Sequence, residues 1–229
     1  MAVNSAKRAG AKAQKGYKGI AMEGPIATWY ARNTRSRIEE QRQVALRIAE
    51  RLPAGGRVLE VAPGPGYLSI ELARLGKYQV TGLDISETFV KIERQNAAKA
   101  GVKVDFNHGD ATVMPFGDNS FDRVVCVAAF KNFTQPVRVI NEMYRVLAPG
   151  GTALIVDLRG DASMKDIDRE VKGMKLNRLN SLLTKGAFRF MLLKNAYTRG
   201  QIQGLVAKTN FKKCDIKTDL IGMEIWLEK

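Results

Sequence analysis

The sequence predicts an α/β fold in which a mostly parallel sheet, closed by an antiparallel last strand, carries helices on both faces. Three observations predict it. Apolar runs of strand length alternate with helix-spaced stripes from residue 57 to residue 158, the pattern of consecutive βαβ units. The first run, Val58-Leu59-Glu60-Val61-Ala62, enters Pro63-Gly64-Pro65-Gly66 before a helix opens at Tyr67. Such a strand, glycine turn and helix start build a nucleotide-type pocket, because glycine lets backbone approach a ligand and the helix offers free N–H groups. At the other end, short strands at 211–219 and 222–228 are linked tightly near Ile221-Gly222, which makes them an antiparallel pair.

The elements follow in order. Residues 1–19 are rich in Ala, Lys and Gly without an apolar face and read as a disordered basic tail; residues 20–229 form one domain. Residues 23–33 contain Trp29 and Tyr30. Ile38, Val44, Ala45, Ile48 and Leu52 make a helix stripe over 35–52, ended by Pro53-Ala54-Gly55-Gly56. Strand 57–62 precedes helix 66–75, strand 79–84 precedes helix 87–100, and strand 103–107 is short. Strand 121–128 reads as fully buried, and helix 135–147 shows Val137, Ile140, Met143, Tyr144 and Leu147 on one face. Pro149-Gly150-Gly151 stops that helix and turns into strand 152–158, giving seven strands in all. Residues 164–195 break the alternation with two amphipathic helices, Met174 to Leu183 and Phe188 to Leu193, a helical cap inserted before helix 199–209.

The chain has 229 residues, 45% of them apolar, enough for a sizeable core. No apolar run approaches the ~20 residues of a membrane span, and the N-terminus lacks the apolar middle of a signal peptide. Two cysteines make no disulfide framework, and Cys126 sits in an apolar strand pattern as a buried thiol. A cytoplasmic setting is expected. The net charge of +14 is uneven: residues 1–20 hold five bases and no acid, residues 159–199 ten bases and four acids, residues 21–158 seventeen and fifteen. The first five strands are therefore nearly neutral, and the excess lies on the tail and the cap. Such surfaces attract nucleic acid, acidic membranes or anionic substrates, or merely solubilise; charge does not choose among them, and the oligomeric state stays open.

Four blocks in order resemble the class I S-adenosylmethionine-dependent methyltransferases: Glu60-Val61-Ala62-Pro63-Gly64-Pro65-Gly66; Gly82-Leu83-Asp84-Ile85-Ser86; Gly109-Asp110-Ala111 with Met114-Pro115-Phe116 and Ser120-Phe121-Asp122; and Asn141 to Gly151. Ala62 stands where the family loop has its first glycine. A dinucleotide-binding dehydrogenase competes for the glycine loop, but the Asp110 and Pro149-Gly150-Gly151 blocks belong to the methyltransferase pattern. Within the family, the chain looks most like the small-molecule branch that includes ubiquinone/menaquinone C-methyltransferases.

The resemblance implies a Rossmann-like seven-stranded sheet and S-adenosyl-L-methionine as cofactor. It implies that Glu60 binds the cofactor ammonium, that Ala62, Gly64 and Gly66 let the methionine part lie on backbone, and that Asp84 holds the ribose hydroxyls. Ile85 would pack on adenine, Asp110 and Ala111 would hydrogen-bond it, and Met114 could flank it. Val127, Ala128 and Ala129 would border the methionine moiety. Methyl passes in line from a sulfonium to the acceptor, so alignment and exclusion of water matter more than a strong base. Tyr30 and Tyr197 are candidates to position the acceptor, as are Lys131 and Asn132 at the mouth of the methyl site. Trp29 carries the same two readings as these tyrosines, binding or packing, and His108 reads as structural. Lys131 should either point outward or meet an anionic group; with Arg159 it would orient an anionic or oxygen-rich acceptor. The 164–195 segment reads as a lid, against core packing, a dimer interface or a membrane-surface helix. No metal is called for, since only Asp157 stands where metal-dependent relatives cluster carboxylates. The expected activity is methylation of a small aromatic, quinol-like or anionic acceptor; the alternative is an RNA methyltransferase using the basic tail and cap, and the tail could also touch nucleic acid or acidic membranes non-specifically.

Overall fold

The computed structural model describes residues 17–18, 22–35, 38–50, 52–174 and 176–229, without the side chain of Met191. Most of the expected 1–19 tail lies outside the described residues. Tyr17 and Lys18 do not hang free. Tyr17 forms an isolated antiparallel bridge with Phe133, and the Lys18 N–H donates to the Asn132 carbonyl at 2.5 Å.

The strands are β1 (Arg57–Val61), β2 (Gln79–Asp84), β3 (Asp105–His108), β4 (Phe121–Val127), β5 (Leu147–Leu158), β6 (Lys213–Thr218) and β7 (Gly222–Glu228). The helices are α1 (Gly24–Thr34), α2 (Ile38–Ala49), α3 (Tyr67–Arg74), α4 (Glu87–Ala100), α5 (Pro136–Val146), α6 (Met164–Gly173), α7 (Arg178–Ala187) and α8 (Arg199–Val206). One seven-stranded sheet runs β3-β2-β1-β4-β5-β7-β6. The pairs among β1 to β5 are parallel, and β7 runs antiparallel between β5 and β6. The expected mixed sheet with an antiparallel last strand is what forms.

Period-two alternation sends successive side chains of a strand to opposite faces. On β1, Val58 joins a core with Ala45, Ile48, Leu68 and Leu72. Leu59 joins the opposite core with Ile140, Met143 and Ile202. Cys126 and Val125 of β4 divide in the same way. Because both faces are covered, these strands read as unbroken apolar runs. The strand order reverses between β1 and β4, and the crevice beyond their carboxyl ends is where such sheets take ligands.

Two stretches differ from the sequence expectation. Residues 24–34 form a helix entered through Gly24-Pro25, with proline in the first turn, where its missing N–H costs nothing. The second cap helix ends in a π-helical turn at Phe188–Leu192. In the cap, Ile167, Val171 and Phe188 pack with Ala162 and Ile221 as a satellite core. Its two ends are stitched together: the Gly160 N–H donates to the Tyr197 carbonyl at 3.0 Å, and Arg159 bridges Tyr197. Any side chain at Gly160 would strike the Ala196 carbonyl.

Two family blocks work as braces. Asp122 accepts from the Arg57 backbone N–H and guanidinium at 2.8 Å each, joining β4 to β1. Glu142 accepts from the Met114 N–H at 2.7 Å and from Arg145, and the Arg145 guanidinium beside it holds its carboxyl below the usual range.

Candidate functional site

A cavity of about 540 Å³ opens at the carboxyl ends of β1, β2 and β4. Glu60, Ala62, Gly64, Asp84, Ile85, Val127, Ala128, Ala129, Tyr30 and Asn132 line it, so the fold brings together ten of the residues singled out from the sequence.

Its floor is strained backbone. Ala62 and Ala128 follow β1 and β4 in the left-handed region, at φ 56° and 57°. That region disfavours L-residues, and alanine is the smallest side chain that pays for it. Each is pinned by its N–H, Ala62 to the Leu83 carbonyl at 2.8 Å and Ala128 to Val156 at 2.7 Å. Gly64 lies at φ 59° and Gly66 at φ 79°. A Cβ at Gly64 would meet no atom within 4 Å, so the loop presents bare backbone to open space. Gly66 faces the other way: a Cβ there would lie 3.1 Å from Phe106 Cζ and 3.2 Å from Glu93 Cγ. Gly66 therefore shapes the loop from below and does not line the cavity.

Two carboxylates stand at the cavity wall, each almost fully buried. Glu60 Oε2 accepts from Ser69 Oγ at 2.5 Å. Burial pushes Glu60 up to about 7, against that hydrogen bond. Asp84 accepts from the Gly64 N–H at 3.1 Å and from the Ser86 N–H at 2.8 Å, which ties the glycine loop to the end of β2. Burial raises Asp84 to about 6, opposed by those two hydrogen bonds. Ser86 is also the N-cap of α4, accepting from the Phe89 N–H.

Asp110, Ala111 and Met114 lie outside the lining. Asp110 accepts from the Thr112 N–H at 2.8 Å, and Ala111 and Met114 are buried in the core. His108 Nε2 lies 3.1 Å from the Ile85 carbonyl, a structural contact that steadies the loop bearing Ile85.

The predicted acceptor residues divide. Tyr30 lines the cavity and packs edge-on against Phe89. Trp29 is 65 % exposed and does not line it. Lys131 meets an anion within the protein: its ammonium sits 2.8 Å from Asp157 Oδ1, with both side chains nearly buried. Arg159 is likewise taken up by Asp166 at 2.9 Å and Asp161 at 3.3 Å. Neither cation lines the cavity. Tyr197 stacks obliquely on Phe130, and its hydroxyl accepts from Lys18 Nζ at 3.0 Å.

Lys18 is the residue that sequence reading missed. It lines the cavity with Tyr17, and no carboxylate pairs with it among the described residues. Nothing in a stretch rich in Ala, Lys and Gly marks one lysine out. Met22 and Glu23 were missed as well. Their place comes from contacts with α4: Ser86 Oγ donates to the Met22 carbonyl at 2.7 Å, Thr88 Oγ1 donates to Glu23, and the Gly24 N–H donates to Thr88 at 2.9 Å. The N-terminal segment thus roofs the cavity, and no described residue of 164–195 lines it. Among the described residues no group of three His, Cys, Asp or Glu could hold a metal ion.

The donor set suits a cationic nucleoside. Buried carboxylates at β1 and β2 can accept from an ammonium and from paired hydroxyls, and the open glycine backbone leaves room for the chain between them.

Comparison with known proteins agrees with this geometry. Residues 59–155 match the family model described as a methyltransferase domain. The chain is similar to demethylmenaquinone methyltransferases of Deinococcus radiodurans, 37% identical over 108 residues, and of Listeria monocytogenes, 40% identical over 110 residues. The aligned part is 47% of this chain and 45% and 46% of those proteins, so the chain spans about half the length of the curated relatives it matches. Among solved structures, a candidate S-adenosyl-L-methionine-dependent methyltransferase of Methanococcus maripaludis superposes with TM-score 0.75 at 20% identity, covering 96% of this chain and 97% of that one. A SAM-dependent methyltransferase of Aquifex aeolicus gives 0.65 at 17% identity over 87% and 97%. At these identities the structural likeness is one of fold. Residues 59–155 thus match a methyltransferase domain, and along its length the chain has the fold of S-adenosylmethionine-dependent methyltransferases.

Proposed function

We propose that the chain transfers a methyl group from S-adenosyl-L-methionine to a small acceptor of quinol-like or otherwise anionic aromatic type. The observation that carries this reading is the single cavity joining Glu60, Asp84 and the Gly64 backbone to Tyr30, Asn132 and Lys18. The cofactor supplies an electrophilic methyl on a sulfonium. Glu60 accepts from its ammonium, Asp84 from its ribose hydroxyls, and Ile85 covers its base; Asp110 and Ala111 would reach the base only by turning from their present contacts. Val127, Ala128 and Ala129 wall the methyl end with apolar surface that excludes water. Lys18 balances the negative charge of an acceptor oxygen, and the Tyr197 hydroxyl, already accepting from Lys18, has its own proton to donate. Tyr30 and Asn132 fix the acceptor ring against the methyl. The 164–195 segment would act as a lid only by moving from its satellite core.

The relatives named above act, by name, on demethylmenaquinone, which supports the quinol-like reading and lends none to the RNA alternative. Two free thiols, one buried at Cys126, fit a reducing, cytoplasmic setting. The test is calorimetry with S-adenosylmethionine and its demethylated product on wild type and Asp84→Ala, followed by transfer assays with naphthoquinols, phenolic acids and transfer RNA. The aspartate variant should lose at least about 100-fold in affinity, the lower bound for two hydrogen bonds to a charged group. Wild-type protein that binds neither compound would end the proposal.

A further inference from the structure

The second helix of the cap leaves one face in water: α7 fully buries none of its residues. Leu179, Leu182 and Leu183 are 67, 69 and 62 % exposed, and Phe190 in the following π turn is 74 % exposed. Leu176, Leu179 and Leu183 recur at helical spacing and continue to Phe190. Monomeric proteins rarely leave so much contiguous apolar surface in water without a use. Cations border this face. Lys172, Arg178, Arg189 and Lys194 are exposed, and among the described residues no carboxylate pairs with them, while Lys185 meets Asp168 at 2.7 Å. A groove of about 430 Å³ between α6 and α7 combines both characters, with Val171, Leu176 and Leu182 beside Lys172, Arg178 and Lys185.

Three partners could cover such a face, and the chemistry separates them. RNA would use the cations but leave the leucines in water. A second copy would bury the leucines but bring together two chains of net charge +14, at faces that each carry ten bases against four acids. A bilayer of anionic lipid satisfies both: leucine and phenylalanine enter the acyl boundary, while the long basic side chains reach the phosphates. We propose that α7 and its π turn form a docking face for anionic phospholipid membranes. It is distinct from the cavity, which no described residue of 164–195 lines.

The test is flotation of the full chain with vesicles of phosphatidylcholine and phosphatidylglycerol, roughly three to one, and with phosphatidylcholine alone. The chain should float with the first and not the second. Leu179→Glu with Leu183→Glu should lower partition at least about tenfold, as should Phe190→Ser with Arg189→Glu. Replacing Lys7 and Lys12 in the tail by Glu should retain most of the binding. These positions are exposed or in the tail, and circular dichroism checks that each variant folds. Unchanged flotation of the double leucine variant overturns the proposal. So does equal binding to neutral vesicles, a dimer in light scattering that the leucine variant dissociates while vesicles stay bare, or a transfer RNA complex lost in that variant when vesicles stay bare. The leucine variant should still bind S-adenosylmethionine, so failure here and failure of the methyl-transfer reading are told apart.

Discussion

Glu93 on α4 has no solvent exposure, and neither carboxyl oxygen has a hydrogen-bond partner. It lies directly beneath the glycine loop, against Gly66. Burial, aided by the charges of Asp84 and Glu60, lifts it from the ordinary 4.5 to about 10. The unfolded glutamate gives up its proton near 4.5, while the folded one keeps it to about 10. Its contribution is therefore harmless below the unfolded value and becomes a growing penalty as pH rises toward 10. At pH 7 the chain has crossed about 2.5 pH units at about 1.4 kcal/mol each, so Glu93 costs roughly 3–4 kcal/mol of stability. Glu93→Gln removes the ionisation and keeps the shape. Urea unfolding of both proteins at pH 5, 7 and 8.5 should show the variant gaining on wild type by about 1.4 kcal/mol per pH unit. Unmet hydrogen bonds of the Gln amide would shift all three points equally and leave that slope intact. A gap that does not widen with pH refutes the reasoning.

Cofactor affinity should weaken about 20-fold between pH 8 and pH 6, because Glu60 and Asp84, raised to about 7 and about 6, must be ionised to accept from a cation and from hydroxyls. Glu60→Gln should flatten the upper part of that profile in calorimetry. Lys18→Met should raise the acceptor KM about tenfold while the S-adenosylmethionine Kd stays put; Lys18→Arg should restore much of it. Lys131→Met, at a residue read from sequence as orienting the acceptor, should instead cost about 3 kcal/mol in urea unfolding, because it strands the buried Asp157 carboxylate without its partner.

Legibility from sequence tracked how local the cause was. The β1 strand and the Gly64–Gly66 turn are written in consecutive residues, so their place could be read directly. Asp84 was legible because it ends the second apolar run, within a block that resembles the family's. The partners of Lys131 and Arg159 were not, because Asp157 and Asp166 reach them through tertiary packing and satisfy both cations inside the protein. The individual residues of the roof were not legible for a related reason. An apolar two-helix segment suggests a lid by composition, whereas the roof that forms depends on Met22, Glu23 and Gly24 docking on Ser86 and Thr88. Glu93 gave no signal at all: one acid in a charged helix looks solvated until Gly66 and Phe106 are seen to close over it.

The seam between Gly160 and Tyr197 gives the two-helix excursion both its feet at a single point. The exposed stretch of α7 between those feet can be exchanged without shifting β5 or the hydroxyl of Tyr197, provided that the Ile167, Val171 and Phe188 contacts with Ile221 are kept. Natural or laboratory chimeras that swap this handle should therefore retarget the molecule in space while its chemistry travels unaltered.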